Sequence, residues 1–276
     1  MDTKKSDIID RFNEAAEQRF VVAVTAQSDI DFTRRKPFGS ILEGRIVLYK
    51  FALMLSALDL KEGQRVLDFG TGSGWVARML NQMGLKAVGV DVSGSAVRFA
   101  ADIIAADPYV RRDIPLEFAT YDGYKLPFDD ASFDRVACFD TFHHIPNKKQ
   151  VLAELHRVLV PGGRVAFVEP GPHHHKSDDA KAEAKVHGVL EDSVSLTDIV
   201  ELAHEAGFGT AEILPYPPEN RWRFGLKEFT DFMRGDNRPY RLDAVREDLK
   251  HAFIAAFTKG GSVNGSLRRP WWRFWG

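Results

Sequence analysis

Cysteine is almost missing from this chain: Cys138 stands alone in 276 residues. An intramolecular disulfide is therefore excluded, and so is chemistry that needs a thiol pair. The apolar setting of Cys138 in "RVACFD" reads as a buried strand position rather than a nucleophile. An excess of one charge is missing as well, since 37 Lys and Arg face 39 Asp and Glu for a formal net charge of −2. Such a chain has no global attraction for nucleic acid, which is not an expected partner. It also has no unbroken apolar run of about eighteen residues, the length needed to cross a bilayer as a helix. The opening "MDTKKSDIID" lacks the apolar centre of a secretory signal. These absences predict a soluble, cytoplasmic protein without internal repeats or low-complexity tracts.

What is present is enough apolar residue, 44% with 28% charged, for a sizeable core. From Arg65 onward, short apolar runs alternate with helical patterns, the signature of an α/β fold with a parallel sheet. The strands fall at "RVLDFG", "KAVGVDV", "LEFATYD", "FDRVACFD" and "RVAFVEP", with later ones at "TAEILPY" and "HAFIAAFT". Amphipathic helices are expected at "WVARMLNQMG", "GSAVRFAADIIAAD" and "NKKQVLAELHRVLV", the last stopped by "PGG", and again at "LTDIVELAHEAG". Residues 1–62 form a helical cap or lid, in which "GRIVLYKFALMLSAL" packs on the sheet edge or over a ligand. Residues 63–260 form the main domain, with an insertion at 220–250 that is a plausible pocket wall. Residues 261–276 read as a glycine-rich tether and a tail rich in Trp and Arg.

The stretch "VLDFGTGSGW" carries the chemistry. A strand that runs into Gly70, Gly72 and Gly74 lets backbone approach a ligand closely, and the following helix offers free N–H groups. Trp75 stands where a dinucleotide fingerprint would place its third glycine, and the GK[ST] ending of a triphosphate loop is missing. Asp91, at the end of the second strand, can accept both hydroxyls of a ribose. Asp68 is a second candidate acid, although it can equally cap the turn. Trp75 can stack on a ligand or face the core.

Four segments in order, "VLDFGTGSGW", "GVDVS", "YDGYKLPFDDASFDRVACFDTFHHI" and "LHRVLVPGGRVAFVEPG", resemble the class I S-adenosylmethionine-dependent methyltransferases, type 11 branch. The resemblance runs from Gln64 to Tyr216. It implies a Rossmann-like seven-stranded sheet of order 3-2-1-4-5-7-6 with the last strand antiparallel, flanked by helices, and S-adenosylmethionine as cofactor. It further implies that Asp68, Gly70, Thr71, Gly72 and Gly74 surround the methionine and ribose, with Asp91 and Val92 at the ribose. Asp122 would bond the adenine amino group, Gly123 would permit close approach, and Asp140 would face the amino acid part. Asp122 before Gly123 is also a common turn pair.

Methyl transfer to a hydroxyl calls for a base, and histidine suits neutral pH. His143 and His144, just past the fourth strand, are the candidates. Glu169 and His173, in "EPGPHHHK", are candidate acceptor contacts, while neighbouring histidines on extended chain point apart and argue against a metal. Arg34, Arg35 and Lys36, in "DFTRRKPFG", could grip an anionic group of the acceptor or form a solvated basic loop. The expected activity is methyl transfer to a hydroxyl of a small molecule or saccharide. An N- or C-methyltransferase and a binding module without catalysis are the alternatives. Trp271, Trp272 and Trp275 among arginines suit packing on the protein's own surface, a protein partner, or peripheral contact with the inner membrane surface. The oligomeric state is open.

Overall fold

The computed structural model describes residues 3–23, 27–187, 192, 194–215, 226–233, 249–250 and 252–260. The proposed tether and tail, with Trp271, Trp272 and Trp275, and most of the 220–250 insertion lie outside the described residues. Three helices come first: α1 (Thr3–Ala23), α2 (Gln27–Arg35) and α3 (Ile41–Leu58). Strands and helices then alternate through β1 (Arg65–Phe69), α4 (Trp75–Gln82), β2 (Lys86–Asp91), α5 (Gly94–Ala106), β3 (Leu116–Thr120), β4 (Phe133–Phe139), α6 (Lys148–Val158) and β5 (Leu159–Pro170). After β5 come α7 (Asp178–His187), α8 (Leu196–Glu205), β6 (Phe208–Pro215), α9 (Leu226–Met233) and β7 (Ala252–Lys259).

The sheet order is β3-β2-β1-β4-β5-β7-β6, as the resemblance implies. β1 to β5 pair parallel, and β7 runs antiparallel between β5 and β6. β4 and β7 are near-continuous apolar runs because a central strand is buried on both faces. Alternation along the strands divides the core in two. Leu67, Val136, Cys138, Phe167 and Phe257 face the layer completed by α6 and α8. Val66, Ala137, Phe139, Val168 and Ile254 face α3 and α4.

Three expectations are corrected. α6 stops at Val158 and not at "PGG", because Leu159 already pairs with Phe133 of β4. The histidine segment is not extended chain, since 174–176 form a 3-10 turn followed by α7. α3 is not an edge element: it lies on the sheet face, burying Phe51, Met54 and Leu58 over β4, β5 and β7. Its start is capped by Ser40, whose hydroxyl accepts from the Glu43 N–H at 3.1 Å. At its other end Arg135 of β4 donates to the carbonyls of Leu58 and Asp59, so a cation meets the negative end of the helix. Among the described residues no helix is long and apolar enough to cross a membrane.

Gly70, which ends β1, has φ +73, and a Cβ there would lie 2.1 Å from Thr141 Cγ2. The turns after β1 and β4 meet at this point. Gly162 has a comparable φ of +76 with nothing within 4 Å of an added Cβ. Gly162→Ala should therefore cost only the backbone strain, about 1 kcal/mol. Gly70→Ala should cost roughly 2–4 kcal/mol, strain plus clash. Urea unfolding of the two variants measures the difference.

Candidate functional site

A cavity of about 620 Å³ opens where the carboxyl ends of β1, β2, β4 and β5 meet α1 and α2. That is the edge at which open α/β sheets bind ligands. Its volume lies within the range of about 300–1,000 Å³ usual for small-molecule sites. Thr71, Gly72, Asp91, Val92, Asp140, His143 and His144 all line it, so the chain brings these sequence-predicted residues together. Gly70 lines it too, and Trp75 only in part, since it is 6% exposed and packed between Phe51 and Phe139.

The four predicted aspartates divide into two pairs. Asp68 is buried behind the turn, where it accepts the Thr71 hydroxyl at 2.5 Å and the Ala77 N–H at 3.1 Å. Burial pushes its pKa up to about 7, against the pull of those two bonds. Asp122 is exposed, and its carboxylate accepts the N–H groups of Tyr124 and Lys125 in a side-chain turn. Neither acid reaches the cavity wall. Asp91 does, with one oxygen accepting from Gly72 N–H at 2.9 Å and the other from Ser93 N–H at 3.0 Å. Burial raises its pKa, with the N–H donors and the charge of Arg19 opposing. Asp140 sits in the left-handed region at φ 47 and pairs with Lys50 Nζ at 3.3 Å. Burial pushes its pKa up, but Lys50, His143 and Lys36 outweigh it and hold the carboxyl below its ordinary value.

The glycines divide in the same way. A Cβ on Gly72 would meet nothing within 4 Å, so this position faces open space. On Gly74 it would strike Ala100 and Phe118, and on Gly123 it would strike Ile9 and Asn13 of α1. The close approach at Gly123 is thus made by the first helix, which also hydrogen-bonds the Asp122 carbonyl through Asn13.

Beneath the turn that follows β4 lies Glu169, with no solvent exposure. Its oxygens accept the N–H groups of Thr141, Phe142 and His143 at 3.1, 2.8 and 3.2 Å. His143 Nδ1 lies 2.6 Å from the same carboxylate, which fixes the ring and leaves Nε2 as the nitrogen turned away from it. The ring of His144 stacks beside it at 3.9 Å between centroids, and Arg19 Nη1 donates to His144 Nε2 at 3.4 Å. From the histidine segment it is His174 that reaches the cavity, with its ring 5.1 Å from His143, while His173 is exposed and does not line it. Arg34 faces a separate small cleft over Phe99, and Arg35 is exposed with its Nε on the Asp31 carbonyl. Of this basic run, Lys36 is the residue that lines the cavity. Among the described residues no group of three or more His, Cys, Asp or Glu converges as a metal site.

Residues missed by sequence reasoning come mainly from the first fifty. Phe12, Arg19, Phe20 and Lys50 wall the cavity, and only a helical, amphipathic pattern hinted at their role. Glu17 was missed as well. Its carboxylate accepts from Ser93 Oγ at 2.7 Å, from Ser95 N–H at 3.1 Å and from the Ser95 hydroxyl, docking α1 on the first turn of α5. Burial raises its pKa, but these bonds prevail and lower it from 4.5. A depressed carboxyl contributes stability above its unfolded pKa and loses it as pH falls through the folded value. Glu17→Gln should therefore destabilise the protein by roughly 1 kcal/mol at pH 7, with the difference from wild type shrinking below about pH 4. Urea unfolding of both proteins across that range tests this.

Comparison with known proteins adds the family. Residues 67–167 match the family model described as a methyltransferase domain. The 27-O-demethylrifamycin SV methyltransferase of Amycolatopsis mediterranei (strain S699) is 35% identical over 156 residues, covering 54% of this chain and 56% of that protein. A ubiquinone/menaquinone biosynthesis C-methyltransferase of Geobacter sulfurreducens (strain ATCC 51573 / DSM 12127 / PCA) is 38% identical over 111 residues, or 39% of this chain and 42% of its own length. The chain spans about half the length of the curated relatives it matches. In fold it is similar to Haemonchus contortus phosphoethanolamine N-methyltransferase 2 solved with phosphomonomethylethanolamine and S-adenosylhomocysteine. The TM-score is 0.58 at 21% identity, over 88% of this chain and 60% of that one.

Proposed function

We propose that this chain, whose residues 67–167 match the methyltransferase-domain family model, moves a methyl group from S-adenosylmethionine to a hydroxyl of a small-molecule acceptor, saccharides among them. The observation that carries the reading is the contact between buried Glu169 and His143, which lines the cavity together with Gly72 and Asp91. An alcohol is a weak nucleophile at neutral pH and needs a base, which thiolates and many carbanion acceptors do not. The relative named for a 27-O position supports oxygen as the acceptor atom.

The cavity fits the cofactor on two counts. Gly72 presents open space where a side chain would otherwise stand, so backbone can meet the ligand. Asp91 has committed one lone pair of each oxygen to backbone, leaving acceptor capacity for a ribose diol. When bound, S-adenosylmethionine supplies a methyl group activated by a sulfonium. Asp140, with Lys50 and Lys36 beside it, is suited to the zwitterionic amino acid end.

His143 is the better placed of the two imidazoles to take the proton. Its Nδ1–H points at Glu169, so the lone pair is on Nε2, and the imidazolium formed on proton uptake is stabilised by the carboxylate behind it. The lone pair of His144 Nε2 is occupied by the Arg19 guanidinium, which leaves it poorly disposed to accept a proton. Phe12, Phe20, Phe69 and Phe139 wall the same space and limit water around the acceptor oxygen.

An acceptor screen of saccharides and small-molecule alcohols, with the methylated atom assigned by carbon-13 NMR, tests the reading. A methyl on nitrogen or carbon would overturn the hydroxyl assignment, and cofactor binding without turnover on any acceptor would leave a binding module. With an active acceptor, His143→Ala should lower kcat on the order of a hundredfold while S-adenosylhomocysteine affinity stays within about twofold. Asp91→Ala should do the reverse, weakening S-adenosylhomocysteine binding by about 1–3 kcal/mol in calorimetry.

A further inference from the structure

Beside the cavity mouth the N-terminal segment exposes large apolar side chains. Ile41 is 92% exposed, Phe38 and Leu42 are each 62%, and Tyr49 is 44%. Leu42, Arg45 and Tyr49 follow one another at helical spacing on the outer side of α3, with Phe38 and Ile41 at its start. The inner side of the same helix carries Val47, Phe51, Met54 and Leu58 into the core. α3 is thus apolar on two sides, and the core accounts for only one.

The charge around this outer face is lopsided. Between Asp31 and Asp59 the chain carries Arg34, Arg35, Lys36, Arg45 and Lys50 against one acid, Glu43. Lys36 and Lys50 line the cavity, while Arg34, Arg35 and Arg45 are exposed. Glu43 does not balance them outwardly, because its Oε2 is buried against Gly39. An apolar wedge on the first turn of a helix, with exposed Arg45 on the same face and exposed Arg35 shortly before it in the chain, has the composition that seats at an anionic lipid surface. Aliphatic side chains enter the acyl boundary and guanidinium groups meet phosphates.

We propose that the face formed by Phe38, Ile41, Leu42, Arg45 and Tyr49 docks the protein on an anionic bilayer surface. Phe32, Thr33 and Lys36, which lie just before this face in the chain, line the cavity, so docking brings the cavity mouth next to the lipid. The inference does not depend on the reaction assigned above, because it rests on exposure and charge outside the cavity. It also differs from an anchor at the Trp-rich tail, which this face does not include.

The test is co-sedimentation of the full chain, saturated with S-adenosylhomocysteine, with vesicles of phosphatidylcholine alone or containing about 30% phosphatidylserine. Wild type should bind the anionic vesicles at low salt, release from them in about 0.5 M salt, and bind the neutral ones weakly. The double variant Ile41→Asp/Leu42→Asp, and separately Arg45→Glu, should bind the anionic vesicles at least about tenfold less well. Their melting temperature and S-adenosylhomocysteine affinity should match wild type, as these residues are exposed. Wild-type binding by the double variant would overturn the proposal and shift the interaction to another part of the chain. So would failure of wild type to bind anionic vesicles. A wild-type dimer in sedimentation velocity that the double variant dissolves would overturn it too, and would identify the face as a contact between copies.

Discussion

The buried carboxylate of Glu169 is the interaction on which the arrangement of the site depends. A carboxylate removed from water must be matched by donors, and here three successive backbone N–H groups and an imidazole provide them. The turn from Thr141 to His143 is therefore wound around this one side chain. That winding sets the direction of His143 and brings Thr141 against Gly70, so the turns after β1 and β4 share a wall. The parallel pairing of β4 with β5, with Phe139 opposite Val168, is what delivers Glu169 beneath the turn in the first place.

The N-terminal helices complete the cavity by a different kind of contact. α1 reaches the sheet edge at two points: Glu17 on the first turn of α5, and Ile9 with Asn13 on Gly123. The first is electrostatic, a carboxylate at the positive end of a helix, and the second is steric, backbone made accessible by a missing side chain. Between these anchors Phe12, Ala16, Arg19 and Phe20 form one wall of the cavity. The segment that matches the methyltransferase-domain model supplies Asp91, Asp140, His143 and His144, whereas Glu169 and His174 follow it and Arg19, Lys36 and Lys50 come before it.

Acids that look equivalent along the chain have different roles in space. Asp68 and Asp122 each satisfy nearby donors within their own turns, and Asp91 and Asp140 line the cavity. The difference lies in where each turn places its carboxylate relative to the sheet edge. For Asp140 it also lies in neighbours distant in sequence, since Lys50 is brought to it only by the packing of α3 on the sheet.

Much of the fold was legible in the residues. The alternation of buried runs and amphipathic helices from Arg65, and the glycine turn with its acids, point to a parallel α/β sheet and to the edge where a ligand binds, because these patterns record burial along the chain, while the seven-stranded order was implied by the family resemblance. Helix ends were less legible: the apolar pair Leu159–Val160 suits a helix or a strand equally, and pairing with β4 decides between them. The sequence also named His143 and Glu169 separately, and it grouped Glu169 and His173 with Arg34, Arg35 and Lys36 as acceptor contacts. Only tertiary structure joins His143 to Glu169, brings His174 to the cavity in place of His173, selects Lys36 from its basic run, and turns α1 into a wall. The physical reason is that local pattern encodes which side of an element is buried. Which distant side chains meet at a strand end depends on register and on the approach of helices, and these are determined by the packing of the whole chain.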